Sequence, residues 1–386
     1  MNNYDIIILG GGPGGYETAI DAASRGFKTL LIEKDKLGGT CLNAGCIPTK
    51  SYNAIASLIN HMNEAQEMGL EINYRLDFNK ALEYKNNVVK SLNDGIEFLL
   101  KKAGVDVIYG FGTLQEPNII SVNDEKYYGN NIIIATGSKN LDGIIKVDEN
   151  ALNSTDILSL DRLPDILAII GGGVIGVEIA TIFALFGTKV TIFEALDSLV
   201  STCDKEISRR IRSYLTKLGV TINTNALVLE IKKDSLIYSV KDIKKEESFD
   251  KILLSIGRKA NIINIGLDAL GILYNKKGII VNDDFMTNLN NHYAIGDCNG
   301  KIMLAHYAIF SGKTVLDKIE GKKNNLKPLC PSAIFTIPEI AQIGLTEEEL
   351  KNENRISLLT TYTLPYDGQK RSLDTKNVIS IPLYPK

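Results

Sequence analysis

Apolar residues in this chain gather in short unbroken runs that meet glycine. "IIIL" (6–9) runs into GGGPGG, and "ILAII" (166–170) runs into GGGVIG. Four or five apolar residues without polar alternation read as a parallel strand buried on both faces. "YDIIILGGGPGGYETAI" is therefore read as a strand (Ile6–Leu9), a turn and a helix, and "FKTLLIEKD" as a second strand ending in Glu33. The stretch 166–187 carries one charge, Glu178, over nearly the length of a bilayer crossing. It divides better into a strand (Leu167–Ile170), a glycine turn and a helix from about Val174, so no membrane span is expected. "KVTIFEA" then ends a strand in Glu194. Shorter runs in "NIIIATGS" (131–138) and "KILLSIGRKAN" (251–261) read as strands closing on Ala135–Gly137 and Gly257, and "NHYAIGDCNG" (291–300) puts Asp297 behind a short strand, placed to accept from a hydroxyl; each taken singly is a plain turn after a strand. The charge run "KDIKKEE" (241–247) suggests a solvated hairpin tip, and "DGIEFLLKKAG" (94–104) an amphipathic helix end. Alternating strands and helices predict an α/β fold.

Gly10, Gly12 and Gly15 fit G-x-G-x-x-G, and Gly171, Gly173 and Gly176 repeat it. In that pattern the first glycine turns tightly, the second admits a pyrophosphate, and the third lets helix pack on strand. Eighteen residues separate Gly15 from Glu33, and eighteen separate Gly176 from Glu194. That is close to the spacing of a carboxylate that accepts from ribose hydroxyls. One copy is weak evidence; two copies with matching strands and acids imply two dinucleotide sites. Glu194, with no arginine directly after it, argues for NAD, since its charge would repel a 2′-phosphate.

The bulk numbers narrow this only a little. A chain of 386 residues is too long for one ordinary core, so two to three domains are expected. A formal charge of −3 gives no reason to expect nucleic acid or an anionic membrane as partner. "MNNYD" has no basic run of the secretory kind, and five cysteines are too few for a secreted disulfide scaffold. A reducing cytoplasm is expected.

Two of those cysteines lie in "GGTCLNAGCIPTK" (38–50). Zinc would need two more ligands, but Cys203, Cys298 and Cys330 stand alone and the histidines are only His61, His292 and His306. An iron–sulfur cluster of the plant type would need a cysteine where Thr49 stands. A bridge between Cys41 and Cys46 closes almost no loop and stabilises little. On one ideal helix the two side chains would point about 140° apart. Bridging them demands a distorted helix start, which Gly45 and Pro48 permit, and a strained disulfide is easily reduced. The pair is read as an electron-exchanging disulfide. Nicotinamide gives hydride while a disulfide opens through thiolate, so a flavin is needed between them. FAD is assigned to the first glycine turn, beside the cysteines, and NAD to the second.

"LGGGPGGY", "GGTCLNAGCIPTK", "ATGS", "GGGVIGVEIA", "SIGRKAN", "YAIGDC", "MLAHYA" and "TIPEIAQIGLTEEE" together resemble the dihydrolipoamide dehydrogenases of the flavoprotein disulfide reductase family. The match runs in order from about Tyr4 to Ser372. The resemblance implies two Rossmann-like domains and an α+β interface domain. Residues 1–142 would form the first part of the FAD domain, 143–260 the NAD domain, 261–327 a return to the FAD domain, and 328–386 a shortened dimerisation domain. It implies that Cys41 exchanges with the dithiol and that Cys46 is the thiolate against the flavin. Lys50 would sit near flavin N5 and pair with Glu178. Glu33, Gly112, Thr136, Gly137, Ser138, Asp297, Met303, Leu304, Ala305 and His306 would line FAD. Gly173, Gly176, Glu194 and Gly257 would line NAD. A homodimer is implied, with dihydrolipoamide or a lipoyl-bearing protein as substrate.

The sequence departs from the family after about Asp374. The family's His-Pro-(Thr)-x-x-Glu base is not found, and no histidine follows His306. A weakened dimer and reduced lipoamide turnover are therefore expected. The alternatives are a diaphorase passing electrons from NADH to quinones or dyes, and an inactive nucleotide-binding fragment.

Overall fold

The computed structural model describes residues 2–147, 151–322, 330–352, 361–365 and 378–382. It divides into two compact units, each assembled from separated stretches of chain.

The first unit comprises residues 1–48, 86–140 and 258–328. Its sheet is centred on Asn2–Leu9, parallel to Thr29–Glu33 on one side and to Glu125–Ile134 on the other. Ile6, Ile7 and Ile8 are fully buried there, as an uninterrupted apolar run requires. Asp106–Tyr109 lies outside Thr29–Glu33, and His292–Ala294 pairs in parallel with Ile132–Ile134. The strand order thus reverses beside Asn2–Leu9, and the first glycine turn sits at that strand's carboxyl end, where such sheets bind ligands.

The helix Pro13–Ser24 packs on the helix Ala305–Ile319 through small residues. A Cβ on Gly312 would lie 1.8 Å from Thr18 Oγ1, and one on Gly14 would lie 3.0 Å from the Ala308 Cβ. Arg25 joins the same helices, donating to Asp317 and to Glu320 at 2.7 Å each.

The second unit comprises residues 49–85, 141–257 and 329–386. Its five parallel strands run in the order Thr221–Asn223, Lys189–Phe193, Ile166–Ile170, Lys251–Leu254 and Ala151–Leu152. The membrane-like stretch is thus a central strand and the helix Val174–Leu185. No helix among the described residues is long and apolar enough to cross a membrane. Residues 49–85 belong to this unit because fully buried Tyr52 meets the Phe186 ring edge-on at 5.8 Å and stacks on Phe78 at 6.0 Å.

The charge run 241–247 is more than a hairpin tip. The hairpin tip is only Lys241 and Asp242, both at positive φ, and Ile243–Ser248 continues as an exposed edge strand. Its charges stay solvated while its backbone pairs with Ser235–Val240, and charged side chains on an edge blunt further strand pairing. Near the chain's end, Ser332–Ile334, Ile340–Gln342, Val378–Pro382 and Thr361–Pro365 form a four-stranded sheet. Apart from Val378–Pro382, the text after Asp374 lies outside the described residues.

Candidate active site

The two glycine turns are built alike. Gly10 has φ +113, and a Cβ on it would lie 2.3 Å from the Ala135 carbonyl oxygen. A Cβ on Gly15 would lie 1.8 Å from the Gly10 carbonyl oxygen. Gly12 differs: its φ is −70, and the nearest atom to an added Cβ is Gly39 Cα at 3.9 Å. In the second unit Gly171 and Gly176 are equally crowded, while a Cβ on Gly173 would meet nothing within 4 Å. The outer glycines are demanded by the fold, and the middle ones face open space at a helix N-terminus. A glycine N-cap offers no side-chain oxygen, so the first-turn N–H groups there suit an anion.

Both acids clamp their turns. Glu33 accepts the Gly11 N–H at 2.7 Å and the Asp35 N–H at 2.8 Å. Glu194 accepts the Gly172 N–H at 2.6 Å and the Leu196 N–H at 2.8 Å. Spacing located these carboxylates, but their grip on the backbone is visible only in the fold.

The cysteine segment comes back to the first turn. Gly38 donates to the Gly11 carbonyl at 2.8 Å, and a Cβ on Gly39 would lie 2.7 Å from Gly12 Cα. The distorted helix start expected for the pair is a complete break: Gly39–Ala44 is one short helix and Cys46–Glu67 another, with Gly45 at φ −151, ψ −109 between them. Cys41 is half-buried on the first, and Cys46 is exposed as the first residue of the second. Thiolate is favoured at a helix N-terminus. The Asn43 amide ties the first short helix to its own start by donating to the Leu37 and Gly39 carbonyls at 2.8 and 2.9 Å. Burial first, then the neighbouring Glu17 and Cys41, push the Tyr16 phenol up to about 12.

Arg258 is the site residue that sequence reasoning passed over. Its Nε donates to Ser138 Oγ at 2.8 Å, its Nη1 to Asn140 Oδ1 at 2.8 Å, and its Nη2 to the Ser138 carbonyl at 2.9 Å and Thr40 Oγ1 at 3.4 Å. Burial lowers its pKa, while the charges of Asp297 and Cys46 oppose that shift. Ser138 Oγ in turn donates to Asp297 at 2.6 Å. Burial raises the Asp297 pKa, and the Ser138 bond and the Arg258 charge pull it back. The signal was present: Arg258 directly follows Gly257 in the quoted "SIGRKAN".

The remaining expected positions divide between packing and open surface. A Cβ on Gly112 would lie 2.5 Å from Leu9 Cδ1, so this glycine serves the core. Gly137 turns at φ +70 and accepts the Asn261 N–H at 2.9 Å, while Thr136 is half-buried beside it. Gly257 turns at φ +123 with open space around it. Met303 and Leu304 lead into the Ala305–Ile319 helix, and His306 is exposed on its first turn. Lys50 and Glu178 converge on one residue: Lys50 Nζ lies 4.2 Å from the centre of the Phe335 ring, and Glu178 Oε1 accepts the Phe335 N–H at 2.8 Å. Phe335 thus touches both members of the expected Lys50–Glu178 pair. Among the described residues no group of three or more His, Cys, Asp or Glu could hold a metal ion.

A family model described as pyridine nucleotide-disulphide oxidoreductase matches residues 4–312, which include both glycine turns and the cysteine pair. The chain belongs to that family. Among curated members, the dihydrolipoyl dehydrogenase of Mycoplasma genitalium is 39% identical over 379 residues, covering 95% of this chain and 82% of that protein. The dihydrolipoyl dehydrogenase of Bacillus subtilis is 40% identical over 372 residues, covering 90% and 78%. Among solved members of the family, the HOCl-induced flavoprotein disulfide reductase RclA from Escherichia coli superposes with a TM-score of 0.85 at 28% identity, covering 98% of this chain and 86% of that one.

Proposed function

We propose that this chain oxidises dihydrolipoamide to lipoamide and reduces NAD⁺, with FAD held at the first glycine turn and NAD at the second. The observation that carries this reading is the packing of Gly38–Gly39 on Gly11–Gly12, which starts the cysteine helices beside a phosphate-ready turn. The residues fit the cofactors. Gly12 and Gly173 leave space where a pyrophosphate would lie, and Glu33 and Glu194 retain acceptor capacity for ribose hydroxyls. Bound flavin would supply two-electron acceptance from a thiolate and hydride donation to nicotinamide.

The chain's own residues do the rest. Cys41 and Cys46 alternate between disulfide and dithiol. A thiolate of dihydrolipoamide attacks the Cys41 sulfur and releases Cys46 as thiolate, and the second substrate thiol then closes the lipoamide ring and releases Cys41. The helix N-terminus at Cys46 and the Arg258 charge stabilise the Cys46 thiolate. The Arg258, Ser138 and Asp297 chain fixes the carboxylate that would accept from a cofactor hydroxyl.

The curated relatives' name points to a lipoyl group as substrate, carried free or on a partner protein. A homodimer in the cytoplasm is part of the proposal; exposed Leu92, Phe98 and Leu99 on the Phe78–Ala103 helix are apolar side chains that a second copy would cover. The deciding experiment is NAD⁺ reduction by dihydrolipoamide on protein whose visible spectrum shows FAD. Wild-type turnover that disappears in Cys41→Ser is expected. Full turnover in that variant would exclude the mechanism.

A further inference from the structure

We infer that Phe335 is the positioning residue of this site, holding the Lys50 ammonium in place on behalf of Glu178; the inference rests on the function proposed above. Lys50 lies on the cysteine helix, one turn after Cys46, and is exposed. A lysine stem has four rotatable bonds, so an exposed ammonium wanders unless something fixes it. Here its fixture is an aromatic face at 4.2 Å, well inside the range at which a cation is drawn to a ring.

The ring is itself held. Phe335 is half-buried directly after the strand Ser332–Ile334, whose Ile334 is in the core. Its N–H donates to Glu178 on the Val174–Leu185 helix at 2.8 Å, a bond to a charged acceptor. Glu178 therefore sets where the Phe335 backbone sits, and the ring sets where the Lys50 charge sits. This gives the carboxylate a hold on the cation through packing.

A cation held near a flavin stabilises its anionic reduced form and so raises its potential. The test uses FAD-loaded protein and reads the midpoint potential of the flavin, with NADH-to-dye turnover beside it. Phe335→Leu, with Phe335→Met as a second variant of similar volume, removes the ring face. We expect reduced flavin to be held roughly tenfold less tightly, a fall of about 30 mV for a two-electron couple. Phe335→Tyr keeps the ring face and should keep the wild-type potential. In a Lys50→Met background Phe335→Leu should shift nothing further. An equal shift with and without Lys50, a Tyr variant that behaves like Leu, or no shift in either apolar variant would overturn the assignment. Failure of wild-type lipoamide turnover would instead overturn the function proposed above, because the potentials are read without lipoamide.

Discussion

The guanidinium of Arg258 donates to the hydroxyl of Ser138 at 2.8 Å, and that hydroxyl donates in turn to Asp297 at 2.6 Å. One serine oxygen thus serves a half-buried cation and a half-buried anion at once. Ser138→Ala leaves both without it, at a cost of about 1–3 kcal/mol. Asp297 already titrates above its ordinary value of 3.8, and the variant should raise it further. A raised carboxyl pKa costs stability only once the group is ionised. The deficit of Ser138→Ala should therefore be least below about pH 3.8 and grow as pH rises through the folded-state pKa. Urea unfolding at several pH values checks this, and a deficit independent of pH would argue against ionised Asp297.

Gly12 and Gly15 stand three residues apart and should fail in different ways. Gly15→Ala drives a methyl into the Gly10 carbonyl and should yield little folded protein. Gly12→Ala fits the backbone, so the protein should fold with normal circular dichroism yet purify with little flavin. Equal flavin content in wild type and Gly12→Ala would show that the open space is not the pyrophosphate site.

Glu194 offers a test of coenzyme choice. Glu194→Ser removes the charge that repels a 2′-phosphate, so the NAD-to-NADP ratio of kcat/KM should fall on the order of 10-fold or more. Glu33→Ser, the equivalent change in the first unit, should lower flavin retention and leave that ratio alone. A ratio that moves only with Glu33 would reverse the assignment of the two turns.

His292 is fully buried, with Nδ1 2.8 Å from the Asn290 carbonyl and Nε2 accepting the Asn118 N–H at 3.4 Å. Burial lowers its pKa below 6.5. As pH falls below about 6.5 the unfolded chain takes the proton first, so stability declines until the folded-state pKa is reached. The slope from this one group is at most about 1.4 kcal/mol per pH unit. His292→Gln should be less stable at pH 7 and lose that part of the acid slope in thermal melts.

The dinucleotide units were legible because the chemistry there is local. Gly10, Gly12, Gly15 and Glu33 lie within one strand, turn, helix and strand, and so do Gly171, Gly173, Gly176 and Glu194. The cysteine pair was legible for the same reason, although the break at Gly45 is sharper than a distorted helix start. Arg258 was missed because its partners Thr40, Ser138 and Asn140 lie more than a hundred residues upstream, and no periodicity carries that information. Phe335 was passed over on similar grounds, since an aromatic in "AIFTIPEI" reads as core until Lys50 is found on its face. The place of residues 49–85 was hidden because Tyr52, Phe78 and Phe186 meet only after the chain has folded back.

The first sheet takes a strand from His292–Ala294, and its first helix leans on Ala305–Ile319. A ribosome delivers those pieces late. The second parallel sheet needs nothing beyond Leu254, so during synthesis it can close while the older sheet still waits with strand Ile132–Ile134 unpaired on one edge. Of the two main sheets, the one whose first strand is made earliest is therefore the one closed last. A nascent chain stalled between Leu254 and His292 should display the later nucleotide fold beside an open, chaperone-ready earlier one.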